Sequence, residues 1–582
     1  MAEYLSPGVY VEEFDNSSTP IQGISTSTAG FIGLAEKGRA VGAPVAVRSP
    51  ADFTRKFGGY LQENEFGEYR YLAYAVQNFF ANGGSRAYVM RVVPPDAETA
   101  KSVSVEGQEG IIEFKAKNPG SWGNSISVTF IETSKAKTQI FEDLGEGTYR
   151  VKNSSDFNAG DVVMLEGTDE VEYNIISSVD KKIITFESPF KADVVDNKLL
   201  PTITIKTCEM NVELRYDDSV EIYEFISLNV SNSNFIEKEL SKSELVTVNA
   251  QANKTPVAPI DIVRKVFGSE KDVVKIVLKN GENGTADSLT DDDFIGVDKG
   301  PGSRTGIQSF LDNPYVNIMA VPGIVSANVQ LSLVSHCENL GSRFAVLDIP
   351  KDSKTISKIM KHRDIVDSDY CAMYHPWLEV FDPMDKKNIY IPPSGSVMGI
   401  YARSDSSRGV HKAPANETVA NCTGLYCNYN ADEQSQLNPK GVNLIRQFPG
   451  AGIRVWGART ATSKPLWKYI NVRRLFIYLE ESIKANTNWV VFEPNDQLLW
   501  TRVENTISTF LENVWRTGAL VGGSPEEAFF VDVGPNTMTQ DDINNGRLIC
   551  VIGVAPVKPA EFVIFRITQK SDVNGDSGSD NA

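Results

Sequence analysis

The stretch Phe344-Ala-Val-Leu-Asp-Ile-Pro350 decides the fold, because it is a short, almost wholly apolar run without the alternation of a half-exposed strand. Two further runs have the same character, Val316–Pro322 and Tyr370–Tyr374. The segments between the three runs, Ser326–Leu340 and Lys354–Lys361, have the apolar spacing of helices. Strands that are apolar on both faces and separated by helices predict a parallel sheet covered on both sides.

An earlier part of the chain repeats this pattern. It predicts a strand, a capped helix, a longer helix and a second strand, over Ile21–Ala35, Ser49–Phe57, Glu68–Asn82 and Ala87–Val93. A strand–helix–strand succession predicts a parallel α/β unit. We therefore expect one α/β core built from two parts of the chain, residues 21–95 and 301–440.

The residues between these two parts, 96–300, have a different pattern of polar and apolar residues. Short segments of alternating polarity are separated by polar turns with frequent glycines. This pattern predicts one or more β-rich domains inserted into the core. The acidic run Asp291–Asp293 is expected to be a solvated loop at the end of the insert.

Residues 441–559 are predicted to form an α+β domain. Helices are expected over Tyr469–Lys484 and Asp496–Gly518, and the second of these has a clear apolar face. Strands are expected over Ile453–Gly457, Asn488–Glu493 and Arg547–Ala555.

The composition excludes several classes of function. The 582 residues carry a formal net charge of −18, which argues against a general surface for nucleic acid or anionic membranes. The one dense basic pair in the C-terminal part, Arg473-Arg474, is expected to cap or flank a helix. No run of about 18 apolar residues predicts a membrane span, and the beginning of the chain does not resemble a signal peptide. We expect synthesis in the cytoplasm.

Residue types that carry chemistry are few. His336, His362, His375 and His411 are the only histidines, and Ser396 lies in a Gly-Ser-Val-Met-Gly run that lacks the spacing of a nucleophile elbow. Cys422 and Cys427, with His411 nearby, could hold zinc but lack a fourth ligand. A calcium-loop-like start at Asp572–Asp576 lacks its closing residues, and no phosphate-binding loop is present. The expectation is no catalytic, metal or cofactor site.

Short strand-like segments stand at both ends of the sequence, Tyr4–Glu13 and Ala560–Thr568. A strand at a chain end either edges its own sheet or adds to the sheet of a neighbouring copy. The domains at the ends are therefore an extended arm over 1–20, a strand arm over 560–570 and a disordered tail over 571–582. The residues expected to pair between subunits are Val9, Tyr10, Val11, Glu12, Phe562, Val563, Ile564 and Phe565.

The sequences of several segments resemble those of a known protein family. They follow one another as Ser6–Glu13, His411–Asn416, Gly441–Arg446, Gly452–Thr460, Tyr469–Arg474, Trp489–Asp496, Leu499-Trp500, Phe529-Phe530 and Asn545–Leu548. This succession resembles the tail sheath proteins of contractile bacteriophage tails and related injection systems. The resemblance covers residues 1–95 and 300–570 and is lost in 96–300.

The resemblance implies a fold and an assembly. It implies a subtilisin-like α/β core, a C-terminal α+β sheath domain and terminal arms that cross to neighbouring subunits. It further implies six-fold rings stacked around an inner tube, contraction from a metastable extended state, and a place in a virion tail or a tail-like particle. The implied partners are other copies of the chain, the tube protein, baseplate proteins and terminator or cap proteins, without nucleic acid or membrane insertion.

The resemblance also implies that a C-terminal-domain helix attaches to the tube, and Asp496–Thr517 matches it by position. Its exposed face would offer Arg502, Asn505, Glu512 and Arg516. Two alternatives remain open at this point. One is a subtilisin-like hydrolase acting on the cell envelope, and the other is a non-contractile coat or adhesin protein.

Overall fold

The structure, a computed structural model, describes residues 21–166, 171–191, 203–251 and 255–564. The first elements are β1 (Ala29–Leu34), β2 (Val45–Val47), α1 (Pro50–Phe57), α2 (Glu63–Phe66), α3 (Leu72–Ala81) and β3 (Ala87–Val92). The predicted strand–helix–strand unit is confirmed, because β1 and β3 pair in parallel. The capped helix is also confirmed, since Ser49 Oγ accepts a hydrogen bond from the Asp52 backbone N–H. The first strand is shorter than predicted and begins at Ala29.

The next part of the chain is rich in strands, as predicted. Its elements are β4 (Ile112–Ala116), β5 (Ser127–Thr133), β6 (Lys137–Gly145), β7 (Thr148–Val151), β8 (Val162–Glu166), β9 (Tyr173–Asp180), β10 (Ile183–Phe186), β11 (Thr204–Thr207), β12 (Glu209–Tyr216), β13 (Ser219–Ile226), α4 (Ile236–Leu240), β14 (Val246–Ala250), α5 (Pro259–Phe267), β15 (Val273–Val277) and α6 (Asp291–Ile295). The acidic loop predicted at Asp291–Asp293 is wrong. These residues form the first turn of α6, where Thr290 caps the helix and carboxylates favour the positive end of the helix dipole.

The remaining elements alternate between strands and helices. They are β16 (Ile318–Ala320), α7 (Ala327–Leu340), β17 (Phe344–Asp348), α8 (Ile356–Arg363), β18 (Cys371–His375), β19 (Leu378–Asp382), β20 (Lys387–Ile391), α9 (Ser394–Arg408), β21 (Glu417–Thr418), β22 (Gly424–Leu425), α10 (Ala431–Leu437), β23 (Val442–Phe448), β24 (Gly452–Val455), α11 (Ile470–Asn486), α12 (Gln497–Arg516), α13 (Pro525–Ala528), β25 (Phe529–Val533), α14 (Gln540–Asn544) and β26 (Cys550–Val554).

The two parts of the predicted core join in one sheet. Its nine described strands have the order β2-β3-β1-β16-β17-β18-β23-β24-β21, and those from β3 to β23 run parallel. Helices α3 and α9 cover one face through residues such as Phe79 and Tyr401. Helices α7 and α8 cover the other face through Leu333 and Ile359. The parallel sheet predicted from the strand around Phe344 is therefore confirmed, with a buried layer on each side.

The central sheet continues past the predicted boundary at residue 440. Strand β23 pairs in parallel with β18, and β24 returns antiparallel to β23. Both strands bury apolar side chains against the same two layers, for example Leu444 and Val455. The predicted boundary therefore separates β23 and β24 from the sheet to which they belong.

The insert is nested in two steps. Its base is an antiparallel pair, in which Glu98 N donates to Glu282 O at 2.9 Å and Glu282 N donates to Glu98 O at 3.0 Å. Above the base, a four-stranded sheet of β13, β12, β5 and β15 has a core of its own. Between β5 and β12, where Thr133 lies opposite Glu209, the chain forms a closed barrel of β6 to β11 around a separate core.

One predicted strand of the C-terminal part is wrong. Residues Asn488–Val490 form a single 3₁₀ turn, and Val491 and Phe492 follow as exposed loop. Phe492 has a φ of 70° and is fully exposed. The apolar run around Val491 predicted a strand by its composition, but the run pairs with no strand in the described chain.

Candidate assembly interface

The helix predicted to contact a tube is α12. Asp496 Oδ1 caps it by accepting a hydrogen bond from the Leu499 backbone N–H at 2.9 Å. Its apolar face packs on α11 and β25, and the prediction that this face is core is confirmed. The buried residues of this face include Leu499, Val503, Ile507, Phe510, Leu511 and Val514.

The four predicted contact residues lie on the opposite face of α12. Their spacing of three, seven and four residues keeps Arg502, Asn505, Glu512 and Arg516 on one side of a helix. Arg516 Nη2 donates to Glu512 Oε1 at 2.5 Å, one turn away. The Arg502 guanidinium lies 4.6 Å from the centre of the Trp489 ring. The structure therefore brings the four residues together, with part of their charge already paired within the subunit.

A two-stranded hairpin lies beside α12. Strands β25 and β26 pair antiparallel from Phe529 opposite Val554 to Val533 opposite Cys550. In the described part of the chain, neither outer edge of the hairpin carries a further strand. Phe530 and Val551 are 57% and 44% exposed. Because unpaired edges accept further strands, the hairpin can receive an extended segment on either side.

The sequence predicted β26 approximately but missed its partner β25. The alternation in Phe529-Phe-Val-Asp-Val533 was available as a signal, although the run is only five residues long. A two-stranded hairpin is only marginally stable by itself, so its presence depends on packing against α12.

The C-terminal segment leaves the body of the protein close to Glu561. Phe562, Val563 and Ile564 follow and are 73%, 69% and 79% exposed. The described residues of the predicted strand, 560–564, are not paired in a sheet. They therefore do not form an edge of a sheet within their own subunit. The other residues predicted to pair between subunits, Val9, Tyr10, Val11, Glu12 and Phe565, lie outside the described residues.

The second half of the chain matches two family models. The model of the phage tail sheath protein central domain matches residues 302–461, and that of the phage tail sheath C-terminal domain matches residues 462–570. This part of the chain, residues 302–570, belongs to the phage tail sheath family. The boundary between the two matches follows β24, which agrees with the extent of the central sheet.

Curated tail sheath proteins resemble this chain over part of its length. A tail sheath protein of Salmonella phage ViI is 28% identical over 251 residues, which is 38% of each chain. The tail sheath protein of Escherichia phage P2 is 25% identical over 314 residues, covering 50% of this chain and 76% of the phage protein. The matched region thus spans well under half of the first of these relatives.

Solved sheath structures share the overall mixed α/β multidomain fold. The sheath complex of an extracellular contractile injection system in its contracted state matches 98% of this chain and 99% of its own, with 21% identity and a TM-score of 0.52. The sheath tail protein of Listeria innocua covers 92% of this chain and 96% of its own, with 11% identity and a TM-score of 0.51.

Ser396, the candidate nucleophile if the protein were a hydrolase, is buried inside α9. Ser396 is 1% exposed. Its flanking glycines have a packing role, because a Cβ on Gly395 would lie 2.4 Å from Ala75 O and one on Gly399 would lie 2.4 Å from Phe79 O. The two glycines are one turn apart and allow α9 to lie directly against α3. The Gly-Ser-Val-Met-Gly run is thus explained by helix packing.

Burial shifts the pKa values of three histidines and of a nearby thiol. Burial lowers the pKa of His336 to about 3 and those of His362 and His375 to about 4. Cys427 Sγ lies 3.8 Å from His375 Nε2, but burial raises the pKa of this thiol, whereas a nucleophilic cysteine needs a lowered one. Among the described residues, no three His, Cys, Asp or Glu side chains form a metal-sized group.

The expectation that Arg473-Arg474 caps or flanks a helix is wrong, because both residues lie within α11 and are buried. Arg473 donates to Asp369, and Arg474 donates to Asp405 at 2.5 Å. All four side chains are at most 7% exposed. The pair therefore ties α11 to the core and offers no positive surface. No helix in the described part of the chain is long and apolar enough to cross a membrane.

Proposed function

We propose that this chain is the sheath subunit of a contractile tail or a tail-derived injection device. One observation carries the proposal. A hairpin with two open edges lies in the same domain as an exposed apolar segment, Phe562–Ile564, that pairs with no strand in the described part of the chain. Three consecutive exposed apolar residues are costly in an isolated monomer and are suited to addition to a sheet edge in another copy.

The proposed assembly stacks six-fold rings around an inner tube. The segments at both ends of the chain add to hairpins β25–β26 of neighbouring subunits and keep the lattice connected. A signal from the baseplate releases a metastable extended lattice, which shortens and drives the tube forward. The energy comes from two alternative packings of the same subunits and not from a nucleotide.

The core of this subunit is proposed to be subtilisin-like in arrangement, without hydrolytic activity. The burial of Ser396 and of His336, His362 and His375 supports a structural role. The predicted division is kept as a proposal: an arm over 1–20, a core over 21–95 and 301–440, an insert over 96–300, a sheath domain over 441–559, a strand arm over 560–570 and a tail over 571–582. The central sheet, however, extends into the predicted sheath domain as far as Val455. The insert faces outward and is dispensable for contraction.

The proposed partners are the tube protein, the baseplate and a terminator or cap protein. The exposed face of α12 is the proposed tube contact, through Arg502, Asn505, Glu512 and Arg516. Its pairs are solvent-exposed and worth about 0–1 kcal/mol each. Many contacts of that strength together hold the tube, and each is weak enough to break during contraction. The protein is made in the bacterial cytoplasm and functions in a tail or tail-like particle.

Negative-stain microscopy tests this function. The purified chain is expected to form striated hollow cylinders, and a variant lacking residues 1–14 is expected to remain a folded monomer. Smooth fibres or isolated particles would favour a non-contractile coat or adhesin. Labelling by a serine-directed hydrolase probe would favour an enzyme, with Ser396→Ala as the matched control.

A further inference from the structure

The carboxylate of Glu561 is held by three side chains of the protein body. Arg459 donates to it twice, from Nε to Oε1 at 2.8 Å and from Nη2 to Oε2 at 2.6 Å. Asn438 Nδ2 donates to Oε1 at 2.6 Å, and the Tyr469 hydroxyl donates to Oε2 at 3.1 Å. A two-pronged arginine–carboxylate pair fixes direction as well as distance, because both groups are planar.

Glu561 is held against the protein body, whereas the residues that follow it are exposed. Its side chain is 19% exposed, whereas Phe562, Val563 and Ile564 beyond it are at least 69% exposed. The preceding backbone contact to the body is at Val557, whose N–H donates to Ala519 O at 3.2 Å and whose carbonyl accepts from Asn471. In the described stretch 558–564, Glu561 is thus the one residue with a hydrogen bond to the body.

The donors are themselves rigidly placed. The Asn443 side chain, fully buried on β23, accepts from the Arg459 backbone N–H and donates to the Arg459 carbonyl, both at 2.7 Å. Tyr469 is the N-cap residue of α11. Glu561 is therefore attached to the central sheet and to the beginning of α11 together.

The described N-terminal segment is attached at the other end of the same helix. The Asn486 side chain accepts from Gln22 N at 3.3 Å and donates to Gln22 O at 3.0 Å. Ser482 Oγ accepts from Ile24 N at 3.2 Å. Since α11 has 17 residues, the two attachments are separated by a rod of about 25 Å.

We propose that Glu561 is a positioning residue, which fastens the start of the C-terminal arm to its own subunit and sets the direction in which the arm leaves relative to α11. Arg459 is the principal partner, and Tyr469 and Asn438 complete the anchor. The inference rests on the proposed sheath function for its biological purpose. The anchor itself is a property of the single subunit and is tested in the monomer.

The test measures a distance in the full-length monomer, with the arm variant of the previous subsection used where assembly must be prevented. Nitroxides are attached through keto-bearing amino acids at Lys484, on the exposed side of α11, and at Ile564. Pulsed electron spin resonance gives the distribution of distances between them. Wild-type Glu561 is expected to give a narrow distribution, and Glu561→Gln and Arg459→Lys one that is about twice as wide, because an unfastened chain end frays. Glu512→Gln, which removes a carboxylate from an exposed pair, is the matched control and should leave the distribution unchanged.

Thermal melting and microscopy separate the outcomes. A broadened distribution with an unchanged melting temperature supports the anchor. A distribution as narrow as wild type in Glu561→Gln and Glu561→Ala overturns it, as does a fall in melting temperature with no broadening. If the distribution broadens but the wild-type chain never forms cylinders, the anchor stands and the sheath function fails. If cylinders form normally and the distance distribution stays narrow in every variant, the sheath function stands and the anchor is refuted.

Discussion

Arg474 on α11 and Asp405 on α9 form a buried, two-pronged ion pair. Nη1 donates to Oδ1 at 2.9 Å and Nη2 donates to Oδ2 at 2.5 Å, and the two side chains are 4% and 5% exposed. Thr26 joins the pair, since its hydroxyl donates to Asp405 at 2.6 Å and its carbonyl accepts from Arg474 at 2.9 Å. One charge pair therefore connects the C-terminal helix, the core and the first described residues of the chain.

Breaking this pair is expected to loosen the C-terminal domain from the core. Asp405→Asn leaves the Arg474 guanidinium buried without its countercharge, which should cost about 3–5 kcal/mol of unfolding free energy. The midpoint of urea unfolding measures the effect. The double variant Asp405→Leu with Arg474→Met should be less destabilised than either charge-removing single variant. Glu512→Gln, in an exposed pair, should change stability by less than about 1 kcal/mol. Equal effects of Asp405→Asn and Glu512→Gln would contradict the interpretation.

A proline in the exposed C-terminal segment should abolish assembly and spare the monomer. Ile564→Pro removes a backbone donor that a sheet ladder requires, and Ile564 is 79% exposed in the subunit. We expect no cylinders by negative stain and a melting temperature within about 2 °C of wild type, since exposed substitutions change stability little. Ile564→Val keeps the donor and is the control. A large fall in monomer stability would place the segment in its own core instead.

Charge reversal on the exposed face of α12 should weaken attachment to the tube. The double variant Arg502→Glu with Arg516→Glu changes a face whose pairs are exposed, so its effect should be larger at low salt than at high salt. Co-assembly with tube protein should fall, while cylinders of the sheath protein alone still form. Thr501→Glu with Thr517→Glu, at neighbouring exposed positions, matches the added negative charge without removing the arginines. Undiminished recovery of tube-filled particles would exclude this helix as the contact.

Removing the insert should leave a folded, assembling subunit. Because Glu98 and Glu282 are paired across the base, a two-residue Asn-Gly turn in place of 99–281 closes the chain without strain. A smaller deletion that replaces 134–208 between Thr133 and Glu209 removes the barrel alone and is the matched control. Striated cylinders from both variants are expected by negative stain. Misfolding of the larger deletion alone would show that the inner part of the insert stabilises the core, where Arg91 donates to Pro119 O at 2.8 Å.

The stability of the insert should fall as the pH rises through neutrality. Burial raises the pKa of Glu209 to about 7, above its ordinary 4.5, and nearby Asp161 adds to the rise, while hydrogen bonds from Lys135 N and the Thr207 hydroxyl oppose it. The folded state therefore holds a proton that the unfolded state releases. The stabilisation is complete below pH 4.5 and is lost as the pH passes about 7.

Glu209→Gln should flatten this dependence, measured as melting temperature from pH 5 to pH 8. Glu132→Gln, an exposed carboxylate on the neighbouring strand, should follow wild type. An unchanged slope in Glu209→Gln would assign the pH dependence to other groups, such as Asp161 and Asp348, whose pKa values burial raises to about 6.

The parts of the fold that follow from local pattern were predictable. The apolar run at Phe344 and the helix before it gave a parallel sheet with two buried layers, and the apolar spacing in α12 separated its buried from its exposed face. The errors occurred where composition and pairing disagree. Val491 and Phe492 look like a strand but pair with no strand in the described chain. Arg473 and Arg474 were expected to cap or flank a helix but lie within α11 and pair with buried carboxylates.

The sequence by itself determined the class of the fold, the positions of most helices and strands, and the family resemblance, because each of these depends on residues close together in the chain. Only the tertiary structure decided which strands became neighbours, where the insert closes and what holds Glu561. Arg459 and Glu561 are separated by 102 residues. Neither has a local pattern that distinguishes it from an ordinary surface charge. Their pairing depends on the central sheet and α11 placing the donors at one point, and that placement arises only when the whole chain is packed.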